Sequence, residues 1–497
     1  MKPQPTFSPV SLRYIAALRG CKPKRAGTGF AYAEFMCTDP ERLTSLAASN
    51  PEGRFYGFVA DETARSTAEE TASERGTFNI VFIAGTPSEI LTRLTHGASV
   101  PPLLDYLCCD EREAPLSPTE RSALFDIASQ RLNPGGTLVT SYRAYDSEDG
   151  ALSLLVRTLA PEMTSEQKQE FLTELKRMGS HFLSRHPEVM ISLNEAIIKG
   201  TPESFFAPYK DMTTAATTIE TIKALGARNM LYAGDATLGA NYVEFALPPE
   251  AQELVTSCRT SPLYEPIKDY ALNRATRSDI WVKTPIEQSA DQAELFGSFA
   301  YGLTMPRADI GPWISINGRS IDLSAPLYGK LLDLMALMPI GVGDVLAHPT
   351  GEGENPALLL ESLQILVACG IAIPMRGQLT STNQSNMTHP RLVGNFNRSL
   401  DKVSLSDTSV WMASQVMGCG VKISAKEALV MQALNRAGLS NSVSALMPEL
   451  TRLTGTTALA TLFPTGEPTP ELAQGLVREI VSQSLPQWYA YALLEAA

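Results

Sequence analysis

The chain has 497 residues, 44% of them hydrophobic and 19% charged. That is a globular composition, long enough for roughly two to four domains, and it excludes a disordered chain. A net charge of −12 repels phosphate backbones and anionic bilayer surfaces, which argues against general nucleic-acid binding and against docking on anionic membranes.

Residues 9–19 read as an amphipathic helix with Leu12, Ile15, Ala16 and Leu18 on one side. A basic loop leads to a buried strand at 30–37 (FAYAEFMC). Asp39 as N-cap and Pro40 at the first position open a helix faced by Leu43, Leu46 and Ala47. A second strand follows at 54–60, a polar helix at 61–75, a third strand at 78–84 and a helix at 87–94. A fourth strand covers 103–109, a helix 117–132, and an Asn133-Pro-Gly-Gly turn enters a fifth strand at 137–142. Continuous apolar strands alternating with helices predict a doubly wound parallel sheet, an α/β fold whose ligands sit beyond the carboxyl ends of the strands.

Residues 150–300 read as mostly helical, with helices at 163–183, 213–225 and 248–275. Short strands are expected at 230–236 and 279–283. Beyond 301, apolar helices at 326–338 and 355–370 and a short strand at 371–375 suggest a winged-helix-like α+β module. A polar loop is expected at 378–387, helices at 405–417 and 424–437, and a last helix at 470–494 broken at Pro486. Residues 425–437 are mainly apolar, a packing helix rather than a basic recognition helix.

Seven cysteines, an odd number, and five scattered histidines offer neither a disulfide framework nor a zinc spacing, so no metal is expected. The first 20 residues lack an apolar signal core, and no run of ~18 apolar residues occurs. The expected setting is cytoplasmic.

Four stretches resemble bacterial class I S-adenosylmethionine methyltransferases that carry a methyltransferase regulatory domain, a family that includes protein lysine methyltransferases. Tyr32 to Pro40 (YAEFMCTDP) is similar to the strand ending in E-L-G-C-G-x-G, and Asn50 to Gly57 to the link into the second strand. Leu132 to Tyr142 (LNPGGTLVTSY) resembles L-x-P-G-G-x-x-Y-V-S-Y. Gly200 to Phe206, followed by Tyr264 to Arg277 (YEPIKDYALNRATR), resembles the regulatory motifs P-x-Y-F and E-Q-Y-x-D-F-x-x-N-R-x-F-R. The resemblance implies a Rossmann-like methyltransferase domain at 1–150 and a helical regulatory domain at 151–300, which leaves the winged-helix-like domain read from the element pattern at 301–497.

The chain departs from that pattern where the cofactor would lie. Glycines in this loop let the backbone approach a ligand and adopt positive φ. Here Met36, Thr38 and Pro40 stand in their places, while Glu34 and Cys37 remain. The acid expected at the end of the second strand, where the family binds the ribose, is Val59. Asp61, two residues on, faces the same way in an extended strand and is the candidate substitute; its other reading is a helix cap. After the fourth strand the family's H-G-V-Y-S-W is replaced by Asp110 to Pro115 (DEREAP), read as a solvated loop or as an acidic pocket for a lysine. Cys37 lies near a helix N-terminus, where a thiolate could form, against the simpler reading of a buried free cysteine.

The resemblance therefore implies a methyltransferase fold with a damaged cofactor cleft. Its residues are Glu34, Cys37, Asp61 and Asp110, with no catalytic residue and no metal ligand. The expected role is a lapsed enzyme that serves as binding or regulatory partner of an active methyltransferase or its protein substrate. A homo- or heterodimer is left open. No bound cofactor is expected in that case. The alternative is an active protein lysine methyltransferase holding S-adenosylmethionine in an unusual pose.

Overall fold

The computed structural model describes residues 2–22, 29–98, 100–111, 116–143, 163–210, 218–259, 261, 263–272, 274, 276–317, 319–376, 390–402, 409–437, 446, 448–450, 452 and 470–496. The chain opens with strand β1 (Lys2–Pro3) and helix α1 (Pro9–Leu18). Then come β2 (Phe30–Phe35), α2 (Pro40–Ala48), β3 (Gly53–Val59), α3 (Glu62–Glu74) and β4 (Ile80–Ala84). α4 (Pro87–Thr95), β5 (Leu104–Asp110), α5 (Pro118–Arg131) and β6 (Leu132–Arg143) complete the alternation. Polar side chains start these helices, Asp39 as the sequence predicts. Asp39 accepts from the Arg42 amide at 2.9 Å, Thr86 and Glu89 form a reciprocal capping box, and Ser117 accepts from the Glu120 amide.

Two strands from the stretch expected to be regulatory, β7 (Met230–Asp235) and β8 (Thr276–Lys283), join the same sheet. The order is β4-β3-β2-β5-β6-β8-β7. Strands β2 to β6 run parallel, and β8 is antiparallel to both β6 and β7. The order reverses between β2 and β5, which makes their carboxyl ends the topological switch point where ligands bind in such sheets. Alternation along the strands builds two core layers. Tyr32, Phe55, Tyr106 and Val139 face one layer, and Ala33, Phe35, Phe58, Leu107 and Leu138 face the other.

Helices Ser165–Arg177, Pro187–Ile198, Pro249–Ser257 and Tyr264–Leu272 enclose a separate apolar cluster that includes Leu172, Leu193, Phe206, Val255 and Ile267. The expected helix at 163–183 is two helices, interrupted at Gly179, where φ is +76°. The remaining strands are β9 (Ala300–Leu303), β10 (Trp313–Ile316), β11 (Arg319–Asp322), β12 (Ala372–Met375), β13 (Pro390–Leu392), β14 (Ser409–Ser414), β15 (Cys419–Ser424) and β16 (Leu494–Ala496). β12 pairs with β9 from far upstream, and β1 joins β15 and β14 in a small sheet.

Two expectations fail in this last third. Residues 409–414 are a strand, not part of a helix, because Val410, Met412 and Ser414 alternate with Trp411 and Ala413 and pair with β15 in a hairpin. The helix Pro470–Ala490 continues through Pro486, tolerating the lost backbone donor. The loop expected at 378–387 lies outside the described residues. Among the described residues no helix is long and apolar enough to cross a membrane.

The β14–β15 hairpin packs on α2, the helix that follows the switch-point loop. Trp411 donates its indole N–H to Asp39 at 3.2 Å, Asn50 donates to the Gly418 carbonyl at 3.1 Å, and Arg75 donates to the Trp411 carbonyl at 2.7 Å. The far end of the chain thereby fixes the start of α2.

Candidate functional site

The site begins at the tip of β2. Met36 leaves the strand at φ +55°, the left-handed region that glycine enters without strain. The backbone thus keeps a glycine-like turn while bearing a half-buried thioether side chain, at a cost of about 1–2 kcal/mol. The Cys37 amide donates to the Phe58 carbonyl at 3.0 Å, which ties the turn to β3. An open groove of about 510 Å³ lies between the two strand tips, lined by Met36, Cys37, Thr38 and Pro40 on one side and Val59, Asp61 and Ala64 on the other.

Of the four residues expected in the cleft, Cys37 and Asp61 line the groove, and Glu34 and Asp110 are not among its lining residues. Glu34 is 2% exposed and ion-paired with Arg42 from α2, whose guanidinium also lies over the Phe7 ring at 5.3 Å. Burial pushes the Glu34 carboxyl up; Arg42 opposes this, and the charges of Asp110 and Asp39 add to it. One carboxylate oxygen, Oε2, is buried without a hydrogen-bond partner. Cys37 is buried, and burial, then the Glu34 charge, push its thiol well above the ordinary range. Burial of this kind favours the simpler reading, a buried free cysteine. Asp61 is exposed, caps α3 by accepting from the Ala64 amide at 2.8 Å, and lines the groove. Asp110 ends β5, one step past the Phe35–Cys109 register pair, and is half-buried beside the switch point.

The neighbour of Asp110 behaves differently from a solvated loop. Glu111 is fully buried, and its carboxylate accepts from the Leu116 amide at 3.2 Å and from two nitrogens of Arg121. Residues 112–115 lie outside the described residues. Arg42 and Arg121 were missed in the sequence. The available signal was the acid itself, since a carboxylate on a strand buried on both faces needs a cation nearby.

The regulatory-motif residues form a second constellation. Arg277 on β8, 1% exposed, donates to Asp279 at 2.9 Å, Asp269 at 2.5 Å, Glu265 at 3.0 Å and the Tyr232 hydroxyl at 3.0 Å. Lys268 pairs with Glu265 at 2.9 Å, Arg274 pairs with Asp235, and Tyr142 donates to Asp279 at 2.6 Å. Burial opposes the charged form of Glu265, but Lys268 and Arg277 outweigh it and hold the carboxyl at about 2. Asp269 is raised to about 6 by burial, because one guanidinium serves three carboxylates and cannot fully offset all of them. The cluster bolts helix Tyr264–Leu272 to strands β6, β7 and β8. Among the described residues no group of His, Cys, Asp and Glu is placed to hold a metal.

A doubly wound sheet with a reversed strand and a groove at the switch-point loop define the class of fold, a Rossmann-like α/β protein, here with a helical unit bolted to the edge of its sheet. A family model described as "Predicted methyltransferase regulatory domain" matches residues 212–283. Over its whole length the chain shares the fold of PKMT2 from Rickettsia typhi, with TM-score 0.62, 15% identity and 99% of each chain covered. The structure of that protein in complex with AdoHcy matches with TM-score 0.64 and 16% identity, over 99% of this chain and 98% of that one. No curated protein matches the sequence. The resemblance to methyltransferases with a regulatory domain is borne out by the matched segment and the shared fold.

Proposed function

We propose that this chain is a lapsed methyltransferase that acts as a binding or regulatory partner of an active methyltransferase or of its protein substrate. One observation carries the reading: at the tip of β2, Met36 holds φ +55° with a full side chain, followed by Thr38 and Pro40. The surrounding acids are engaged elsewhere, Glu34 with Arg42 and Asp61 with the start of α3. Val59, at the ribose position, is apolar and 2% exposed. These residues do not fit S-adenosylmethionine in the pose that a glycine loop cradles. Methyl transfer depends mostly on holding donor and acceptor in line, so loss of the donor's cradle removes most of the rate. Calorimetry of the full chain with S-adenosylmethionine is expected to give no saturable heat up to about 1 mM. Micromolar binding would defeat the reading.

The open groove of about 510 Å³ favours a second reading, an active protein lysine methyltransferase with an altered cofactor pose. It is supported by the shared fold of PKMT2, itself solved with AdoHcy. Transfer of a labelled methyl group to a lysate protein would establish it. We place a winged-helix-like module in residues 301–497, where the β14–β15 hairpin against α2 offers a route from a bound partner to the switch-point loop.

A further inference from the structure

We propose that the cavity at the free edge of β7 binds a small phosphate ester bearing a planar ring. The site is separate from the β2–β3 groove, and the proposal does not rest on the reading given above. The cavity, about 340 Å³, lies between the end of α1, the edge strand β7 and the helix Tyr264–Leu272. That volume is at the small end of ligand sites.

Three cations, Arg19, Arg259 and Lys268, converge on it, against two acids, Glu244 and Glu265. The surplus is one positive charge, 3 − 2, in a chain of net charge −12. Lys268 and Glu265 pair with each other, so the surplus rests on Arg19 and Arg259 against Glu244, 2 − 1, again one positive charge. Arg19 spends its Nε on the Ala233 carbonyl at 3.3 Å, and its terminal nitrogens have no acceptor among the described residues. Arg259 has no acceptor or carboxylate partner among the described residues. Two guanidinium forks facing one cavity, each with terminal nitrogens that have no acceptor among the described residues, suit a phosphate, which accepts several charge-assisted hydrogen bonds at once. Tyr232 and Tyr264 line the same cavity, with Arg19 over the first ring at 5.9 Å and Lys268 over the second at 5.6 Å, so a planar group would stack on them beside these cations.

The cavity also touches the ion cluster. Tyr232 and Glu265 both accept from Arg277, and Asp279 connects that guanidinium to Tyr142 on β6. A ligand here would therefore stabilise the joint between helix and sheet, which makes the site a place for an effector.

The test is calorimetry on the full chain at low ionic strength, using phenyl phosphate, adenosine 5′-monophosphate, inorganic phosphate and phenol as probes. Saturable binding of the two ring-bearing phosphates is expected with Kd below about 1 mM, tighter than inorganic phosphate, with none for phenol, and weakening as salt is added. Arg259→Gln and Arg19→Gln each weaken it about tenfold. Both side chains are exposed, so circular dichroism should be unchanged. No saturable heat from any phosphate, or affinity unaltered in both variants, overturns the proposal. Neither result depends on whether S-adenosylmethionine enters the β2–β3 groove, so the two readings fail separately.

Discussion

The ion cluster around Arg277 and the loop after β2 both lie where the sequence resembles a known motif, yet they differ in what their residues touch. In the cluster, Glu265, Asp269, Arg274 and Arg277 match the regulatory pattern, and each finds its partner inside the protein. In the loop, Met36, Thr38, Pro40 and Val59 replace residues whose partner would be a ligand. Side chains that satisfy one another are bound together by desolvation, since removing one leaves a buried charge behind. Side chains that would serve an external molecule are not held to one another in this way. The two regions therefore show which part of the fold is held by its own interior and which part function alone would hold.

The sharpest way to break this contrast is at its centre. Arg277→Leu leaves Asp269, Asp279 and Glu265 buried without their shared cation, and is expected to cost about 3–5 kcal/mol. Thr38→Ala in the loop should stay within about 0.5 kcal/mol, because Thr38 is exposed. Urea midpoints for the two variants measure the difference directly. Equal losses would mean that the cluster is no more structural than the loop.

The second effect is one of pH. Asp269 is raised to about 6 from an ordinary value of 3.8. Between those values the unfolded chain has released its proton while the folded chain retains it. Stability therefore falls as pH rises through this window, by on the order of 2 kcal/mol. Glu265, held at about 2 against an ordinary 4.5, works in the opposite sense and adds stability as pH rises through that lower range. Asp269→Asn should make the decline between pH 4 and 6 shallower while leaving the rise below pH 4.5; the carboxyls of Glu34 and Asp279, also pushed up by burial, keep their own share. Urea denaturation at pH 4.5 and 6.5 would show it; a decline as steep in the variant as in the parent assigns the slope to those other groups.

The same contrast governs what the sequence could disclose. The alternating strands and helices from Phe30 to Arg143 were legible because period, caps and Gly/Pro punctuation are local properties. Asp39 was readable as a cap for the same reason. Strands β7 and β8 were visible as short apolar runs, but their insertion beside β6 depends on pairing across more than a hundred residues, which no local pattern encodes. The β14 segment was mistaken for a helix because its apolar residues fit a helical face until a partner hairpin selects the period of two. At the site, the replacements at Met36, Thr38 and Pro40 were plain in the sequence. The Glu34–Arg42 and Glu111–Arg121 pairs were not, since each joins different elements.

Met36 offers a smaller and more local test. At φ +55° an alanine retains the steric penalty of an L-residue, whereas glycine does not. Met36→Gly should therefore be more stable than Met36→Ala by about 1 kcal/mol, even though both lose the same thioether packing. Thermal midpoints of the pair isolate the backbone from the side chain. If the two variants are equal, the turn has relaxed, and the loop no longer keeps the glycine-like path that a cofactor would need.

Asp61 gives the smallest effect, and it separates the two roles the sequence left open. As a cap it accepts from the Ala64 amide, so Asp61→Ala should cost about 0.5–1 kcal/mol, and Asp61→Asn, which keeps the accepting oxygen, only a few tenths. As a ribose acceptor it would behave otherwise, because an amide replaces one acceptor with a donor and weakens paired hydroxyl contacts while sparing the helix. Asp61→Asn thus leaves stability nearly intact under both roles, and only the second role predicts a change in any heat measured with S-adenosylmethionine. A nucleoside signal that disappears in Asp61→Asn would move this residue from the interior-held part of the fold to the ligand-facing part, and with it the case for a lapsed groove.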